Sequence, residues 1–300
     1  MNILKTYITK SIFLILIGFS IFSCKKYLDI KPDPTLSIPD NLSDLQALLD
    51  NTDLKRGILA PNISSDEYYL TDDTWNSLNI FNKETYIWDS QAQDEEDWYL
   101  QYKAIFYANI VLENLIRISS EGQEKEWNSI KGAALFVRAN AFYNIVQLYA
   151  QQYDEASAST ELGIPLRLNS NFNELTSRST LQQTYDRIID DLLESTTLLP
   201  DNPSLKTRPG KSAAFAFLAR VYLQMGNYEK AKENADSALQ LYNVLLDFND
   251  LDSVASVPIP LFNDEVIYYS NIFAGPTSVS ISRAKIDTNL YNSFDNEDLR

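Results

Sequence analysis

With 41 Asp and Glu against 25 Lys and Arg, the 300-residue chain has a formal charge of −16 at pH 7. A surface this acidic repels phosphate backbones, which argues against nucleic acid as a partner. The chain contains no histidine, so the commonest general base and metal ligand are missing and Ser-His-Asp or Cys-His chemistry is excluded. Hydrophobic residues at 45% supply a core, whereas only 8 glycines disfavour a turn-rich all-β architecture.

Lys5 and Lys10 lead into Ser11 to Phe22, an apolar run of 12 residues, whereas a spanning helix needs roughly 20. A basic start, a short apolar run and a small residue before the break read as a secretory signal, placing residues 1–23 in a signal peptide. Ile21-Phe22-Ser23-Cys24 resembles the bacterial lipobox, which makes Cys24 the lipidation site. Cys24 is the only cysteine, so no intrachain disulfide is possible. Setting aside Met1 to Ser23 removes two lysines and no acid, leaving −18. That charge disfavours docking on anionic lipid, so the lipid itself has to hold the protein at the membrane. Residues 24–40 read as a lipidated tether kept extended by Pro32, Pro34 and Pro39.

A helix begins at Asn41, with Asn41 or Ser43 as its cap and Leu42, Leu45, Leu48 and Leu49 on one face. Residues 51 to 97 lack sustained periodicity and read as a long irregular region, uncommon in a compact domain unless functional. From Trp98, apolar residues recur at three- and four-residue spacings through Tyr102, Ile105, Phe106 and Ile110 to Ile116, after the acidic run Asp94 to Asp97. A second helix is expected over about 124–150, followed by an extended linker at Gly163-Ile164-Pro165-Leu166. A third covers about 179–199, capped by Ser179 or Thr180 and stopped by Pro200. Helices over 213–225 and 228–241 flank Gly226-Asn227, and Ala231, Ala235 and Ala238 allow close packing, so this pair resembles one tetratricopeptide repeat. Glu265 to Ser270 reads as a short strand. The fold class is therefore all-α: a tetratricopeptide-like helical-pair scaffold with long irregular loops and little strand.

No phosphate-cradling glycine motif is present. Asp247 to Asp252 imitates a calcium loop but fails at the turn-glycine position, held by Asp252, and at the bidentate-glutamate position, held by Pro258. Neither a metal nor a cofactor is expected, and nothing selects a carboxylate pair for glycoside hydrolysis, so the chain is not read as an enzyme. The informative residues are aromatic. Trp75 and Trp88 lie in the irregular region with Asn76, Tyr86, Asp72 and Asp73 around them. An aromatic face beside amides and carboxylates offers a sugar both a stacking surface and hydrogen-bond partners, so Trp75, Asn76, Tyr86 and Trp88 are candidate ligand-binding residues. The competing reading is that both tryptophans pack the loop onto the helices.

Several blocks in order resemble the SusD/RagB family of outer-membrane lipoproteins: Ser23-Cys24 with Tyr27-Leu28-Asp29, Trp98 through Tyr102 to Asn109, and Arg138 to Tyr143. Gly163 to Leu166 follows, then Tyr185, Ile188 and Asp191-Leu192, and finally Leu218 to Leu223 with Gly226-Asn227-Tyr228. The resemblance implies a helical domain over 41–300 that stops partway through the family length, since Phe294 to Arg300 resembles an internal motif. It also implies an outward-facing outer-membrane lipoprotein that captures a glycan nutrient and delivers it to a SusC-type TonB-dependent transporter. Outward exposure rests on family role, because Lys25 and Lys26 rather than acids follow Cys24. The alternative is a lipid-anchored tetratricopeptide-like scaffold that binds protein partners.

Overall fold

The computed structural model describes residues 39–92, 95–252, 254–272, 279–280, 282–295 and 298. The chain divides after Pro39, and the unit Asp40–Arg300 carries every element below. The signal peptide, Cys24 and the tether up to Ile38 lie outside the described residues, as do Asp94 and parts of the Phe294 to Arg300 motif.

Helix α1 (Leu42–Leu49) starts where the Asn41 side chain accepts the Asp44 amide at 2.9 Å. The long helices are α5 (Glu95–Leu115), α6 (Glu124–Tyr149), α7 (Leu181–Leu198), α8 (Lys211–Gln224) and α9 (Tyr228–Leu241). Each packs on the next in chain order, and α1 lies across α5 and α6. Such a stack buries its inner helices between neighbours, as solenoid repeats do. Helix α6 is buried nearly all round from Gly132 to Tyr143, where its alanines let α5 and α7 approach from both sides. The most deeply buried large side chains include Ile105 of α5, Ile130, Phe142 and Ile145 of α6, and Tyr185, Ile188 and Leu192 of α7.

A carboxylate sits inside this core. Asp191 is fully buried and receives Arg138 through two bonds, Nε at 2.7 Å and Nη2 at 2.8 Å. Arg187 adds a contact at 3.1 Å, and Arg138 also donates to Asn109 Oδ1 at 2.9 Å. The network joins α5, α6 and α7.

The expected repeat unit forms as read. Gly226 turns between α8 and α9 with φ +75°, a conformation that favours glycine. Asn227 then caps α9 by accepting the Lys230 amide at 3.1 Å. Ala231 and Ala238 are buried on α9 whereas Ala235 is only half-buried, so the close approach is centred differently from the sequence expectation.

Other expectations need correction. The acidic run does not precede α5: Glu95, Glu96 and Asp97 form its first turn. Gly163 to Pro165 is not a bare linker, since β2 (Leu162–Pro165) pairs antiparallel with β3 (Arg178–Thr180). A Cβ at Gly163 would meet Thr184 Oγ1 at 2.1 Å and the Thr180 carbonyl at 2.6 Å, so only glycine lets β2 lie against the capping box that starts α7. Glu265 to Ser270 is not a strand. It is tied by single backbone bonds, such as the Tyr269 amide to the Lys206 carbonyl at 2.7 Å, with no neighbouring strand among the described residues to form a ladder. Residues 51–97 are not irregular throughout. They include a 3₁₀ turn (Thr52–Lys55), α2 (Ala60–Ile63), β1 (Tyr68–Tyr69), α3 (Asp72–Ser77) and α4 (Ile80–Tyr86).

Replacing Arg138 with Met leaves Asp191 buried with only part of its pairing, and should cost about 3–5 kcal/mol in chemical denaturation. The double variant Arg138→Met, Asp191→Leu should recover part of that loss, because the uncompensated carboxylate is gone. A single variant as stable as the parent would show that the network does not hold the three helices together.

A candidate glycan-binding aromatic row

The short elements between α1 and α5 exist because small polar residues cap them. Thr71 accepts the Thr74 amide at 3.3 Å to start α3, and Asn79 accepts the Asn82 amide at 2.8 Å to start α4. Helix α2 takes its cap from a distance: the Asp97 carboxylate on α5 accepts the Leu59 and Ala60 amides at 2.7 and 3.0 Å. Asp97 is 3% exposed, so this charge-assisted cap fixes the short-helix region on the long-helix scaffold.

These elements bring three rings into a row. Trp75 on α3 and Tyr86 at the end of α4 have centroids 5.8 Å apart, tilted by 55°. Tyr86 and Tyr68 on β1 follow at 5.6 Å and 57°. Both spacings suit attractive aromatic pairs. Tyr68 is held at its far end, where its hydroxyl donates to the Ile63 carbonyl at 2.6 Å, and β1 pairs antiparallel with β4 (Lys285–Ile286) just before α10 (Thr288–Tyr291). Trp75 and Tyr86 are half-buried, each leaving part of a ring in solvent. The Trp75 indole N–H and the exposed Asn76 carboxamide have no hydrogen-bond partner among the described residues, so both are available to a ligand. Beyond Tyr68 lies an open groove of about 1140 Å³ whose lining includes Pro61, Glu67, Ile286, Tyr291 and Asp295.

Of the four candidate residues, Trp75, Asn76 and Tyr86 come together, and Trp88 stands apart. Trp88 is 73% exposed and has φ +59°, yet its indole N–H donates to the Ser64 carbonyl at 2.7 Å. It has no ring partner among the described residues. Its position reads as a tie between the end of α4 and the end of α2. Asp72 and Asp73 lie in the first turn of α3, where the helix dipole favours them. Tyr68 was absent from the sequence candidates: it precedes Trp75 and Tyr86 on a two-residue strand, and only the fold brings it to Tyr86.

The stacked helical pairs define a tetratricopeptide-like scaffold. Residues 26–223 match the SusD-like family described as starch-binding and associating with the outer membrane, and the chain belongs to that family. SusD-like protein P2 of Formosa agariphila is 30% identical over 139 residues, covering 46% of this chain and 25% of that protein. A SusD superfamily protein from Bacteroides vulgatus has the same fold with a TM-score of 0.61 at 23% identity, over 70% of this chain and 50% of its own. A laminarin-binding SusD-like protein matches with a TM-score of 0.55 at 19% identity, over 69% of this chain and 46% of its own. The chain thus spans about half the length of the solved relatives and a quarter of the curated one.

If Trp88 is a structural tie, Trp88→Phe should lower stability by about 1 kcal/mol, the net worth of one hydrogen bond, and leave glycan affinity unchanged. Denaturation and titration of the same variant check this. Weakened binding at unchanged stability would move Trp88 into the ligand site.

Proposed function

We propose that this chain captures a glycan at the outer membrane, as a lipoprotein anchored outward through Cys24, and passes it to a SusC-type TonB-dependent transporter. The observation that carries the reading is the Trp75–Tyr86–Tyr68 row, with unengaged donors on Trp75 and Asn76. Rings of this kind stack on the C–H face of a pyranose while amides reach its hydroxyls, which is capture rather than turnover. The family description and the laminarin-binding relative support a glycan, and the formal charge of −18 left once residues 1–23 are set aside favours a neutral one. Anchoring rests on the Ser23-Cys24 signature, which the family's outer-membrane association supports.

Isothermal titration of the full chain with laminarihexaose and maltohexaose tests capture. Trp75→Ala should weaken binding by about 1–3 kcal/mol, a hot-spot magnitude, with an unchanged melting curve. A drop in melting temperature that accompanies the loss would return Trp75 to a packing role, and no binding of either sugar by the parent would sink these ligands.

Purification from native membranes tests the anchor and the partner together. The parent should incorporate labelled palmitate and bring a TonB-dependent barrel with it, whereas Cys24→Ala should do neither and leave the membrane fraction. Label retained by Cys24→Ala removes the lipidation assignment, and a parent preparation without a barrel removes the transporter.

A further inference from the structure

A second aromatic cleft runs along α5 and shares no lining residue with the Trp75 row or the groove beyond it. Trp98, Tyr102 and Phe106 follow at four-residue intervals and so share one stripe of the helix. They line a cleft of about 300 Å³ whose opposite wall is the segment from Pro165 to Thr176. Trp98 and Tyr102 have centroids 4.7 Å apart, and Phe106 and Phe172 lie 4.6 Å apart across the cleft. Phe172 nonetheless remains 77% exposed.

That wall is pinned rather than loose. Asn109, three residues beyond Phe106 on the same stripe, donates to the Arg167 and Asn169 carbonyls at 3.0 and 3.2 Å. Four residues further on, the Glu113 carboxylate accepts the Ser170 amide at 2.7 Å. Asn109 is itself fixed by Arg138, so the wall is registered to the buried Asp191 network. Tyr102 is pinned through its hydroxyl to the Pro165 carbonyl at 2.9 Å. An exposed phenylalanine on an ordered loop, facing a row of rings, loses little conformational entropy when a ligand covers it.

The donors of the cleft define what would cover it. The indole N–H groups of Trp88 and Trp127 are taken by carbonyls, whereas that of Trp98 has no acceptor among the described residues, nor has the Thr176 hydroxyl any partner. Arg167 donates to the Glu174 carbonyl at 2.9 Å and to the Asn171 carbonyl, which holds its guanidinium against the loop. Rings and two unengaged uncharged donors fit the apolar face and hydroxyls of a sugar, and the chain's net negative charge disfavours an acidic one. We propose that this cleft is a second glycan contact, which takes the apolar face of a neutral pyranose ring against Trp98, Phe106 and Phe172. The proposal rests on the reading of the chain as a glycan-capturing protein, and it gives a ligand unit a contact built from residues outside the Trp75 row.

The test labels the four tryptophans of the full chain with fluorotryptophan and assigns their fluorine resonances through single Trp→Phe variants. Laminarihexaose and maltohexaose are then titrated. The Trp98 resonance should shift saturably with at least one of them. Phe172→Ala, a change at an exposed side chain, should weaken that response about tenfold and leave the Trp75 response in place. A silent Trp98 beside a responding Trp75 overturns the second contact alone, and the reverse overturns the Trp75 site alone. Silence at both overturns both. A Trp98 shift indifferent to Phe172→Ala overturns the cleft as its source. Hyaluronan hexasaccharide binding at Trp98 as tightly as the neutral sugars overturns the assignment of ligand charge.

Discussion

Asp191 is a carboxylate buried away from the surface, and the three longest packed helices are arranged around it. Burying an isolated carboxylate costs several kcal/mol, and the cost is offset only when its oxygens are filled by well-placed donors. Arg138 presents two guanidinium nitrogens along the edge of that carboxylate, and Arg187 adds another from within α7. An apolar contact between α6 and α7 would tolerate a slide of one side chain, because dispersion has little direction. A forked guanidinium on a carboxylate does not, since a small shift breaks two bonds at once. The register of α6 on α7 is set there, and Asn109 carries it to α5.

The part of the molecule that carries the aromatic row is built on another principle. Helices of four to seven residues do not persist alone, because nucleation costs more than so few bonds return. Helices α2, α3 and α4 stand because their ends are capped and because Tyr68 and Trp88 tie them to neighbouring backbone. Polar residues typical of loops, namely Thr71, Asn79 and Asp97, are the ones that hold this region in shape.

This explains what was legible in the sequence. Helices α5 to α9 were readable because each runs long enough for apolar spacing to repeat, and the α8–α9 turn because Gly226 and Asn227 have local roles. The region from 51 to 97 was not, since its helices are too short for the pattern to repeat and its caps look like loop residues. The segment from Glu265 to Ser270 has strand composition, but a strand needs a partner and composition does not supply one. Within the candidate site, Trp75, Asn76 and Tyr86 could be named because they are near in sequence. Tyr68 could not, for its place depends on pairing with Lys285 and Ile286, more than two hundred residues on. Trp88 shows the opposite failure: composition marks it as a platform, while one bond to Ser64 gives it a structural task.

The capping of α2 by Asp97 bears on how the molecule opens. Regions held by a few caps and single backbone ties unfold locally at a lower free energy than a packed helical stack. The platform from Tyr68 to Trp88 belongs to the first kind, and α6 with its all-round burial belongs to the second. Amide hydrogens around α3 and α4 should therefore exchange through excursions that leave the core intact. A ligand seated on the rings as proposed would bind only the closed form and so suppress those excursions by mass action. Occupancy of the proposed platform would then be written into the exchange rates of its own short helices, with no movement required of the scaffold beneath.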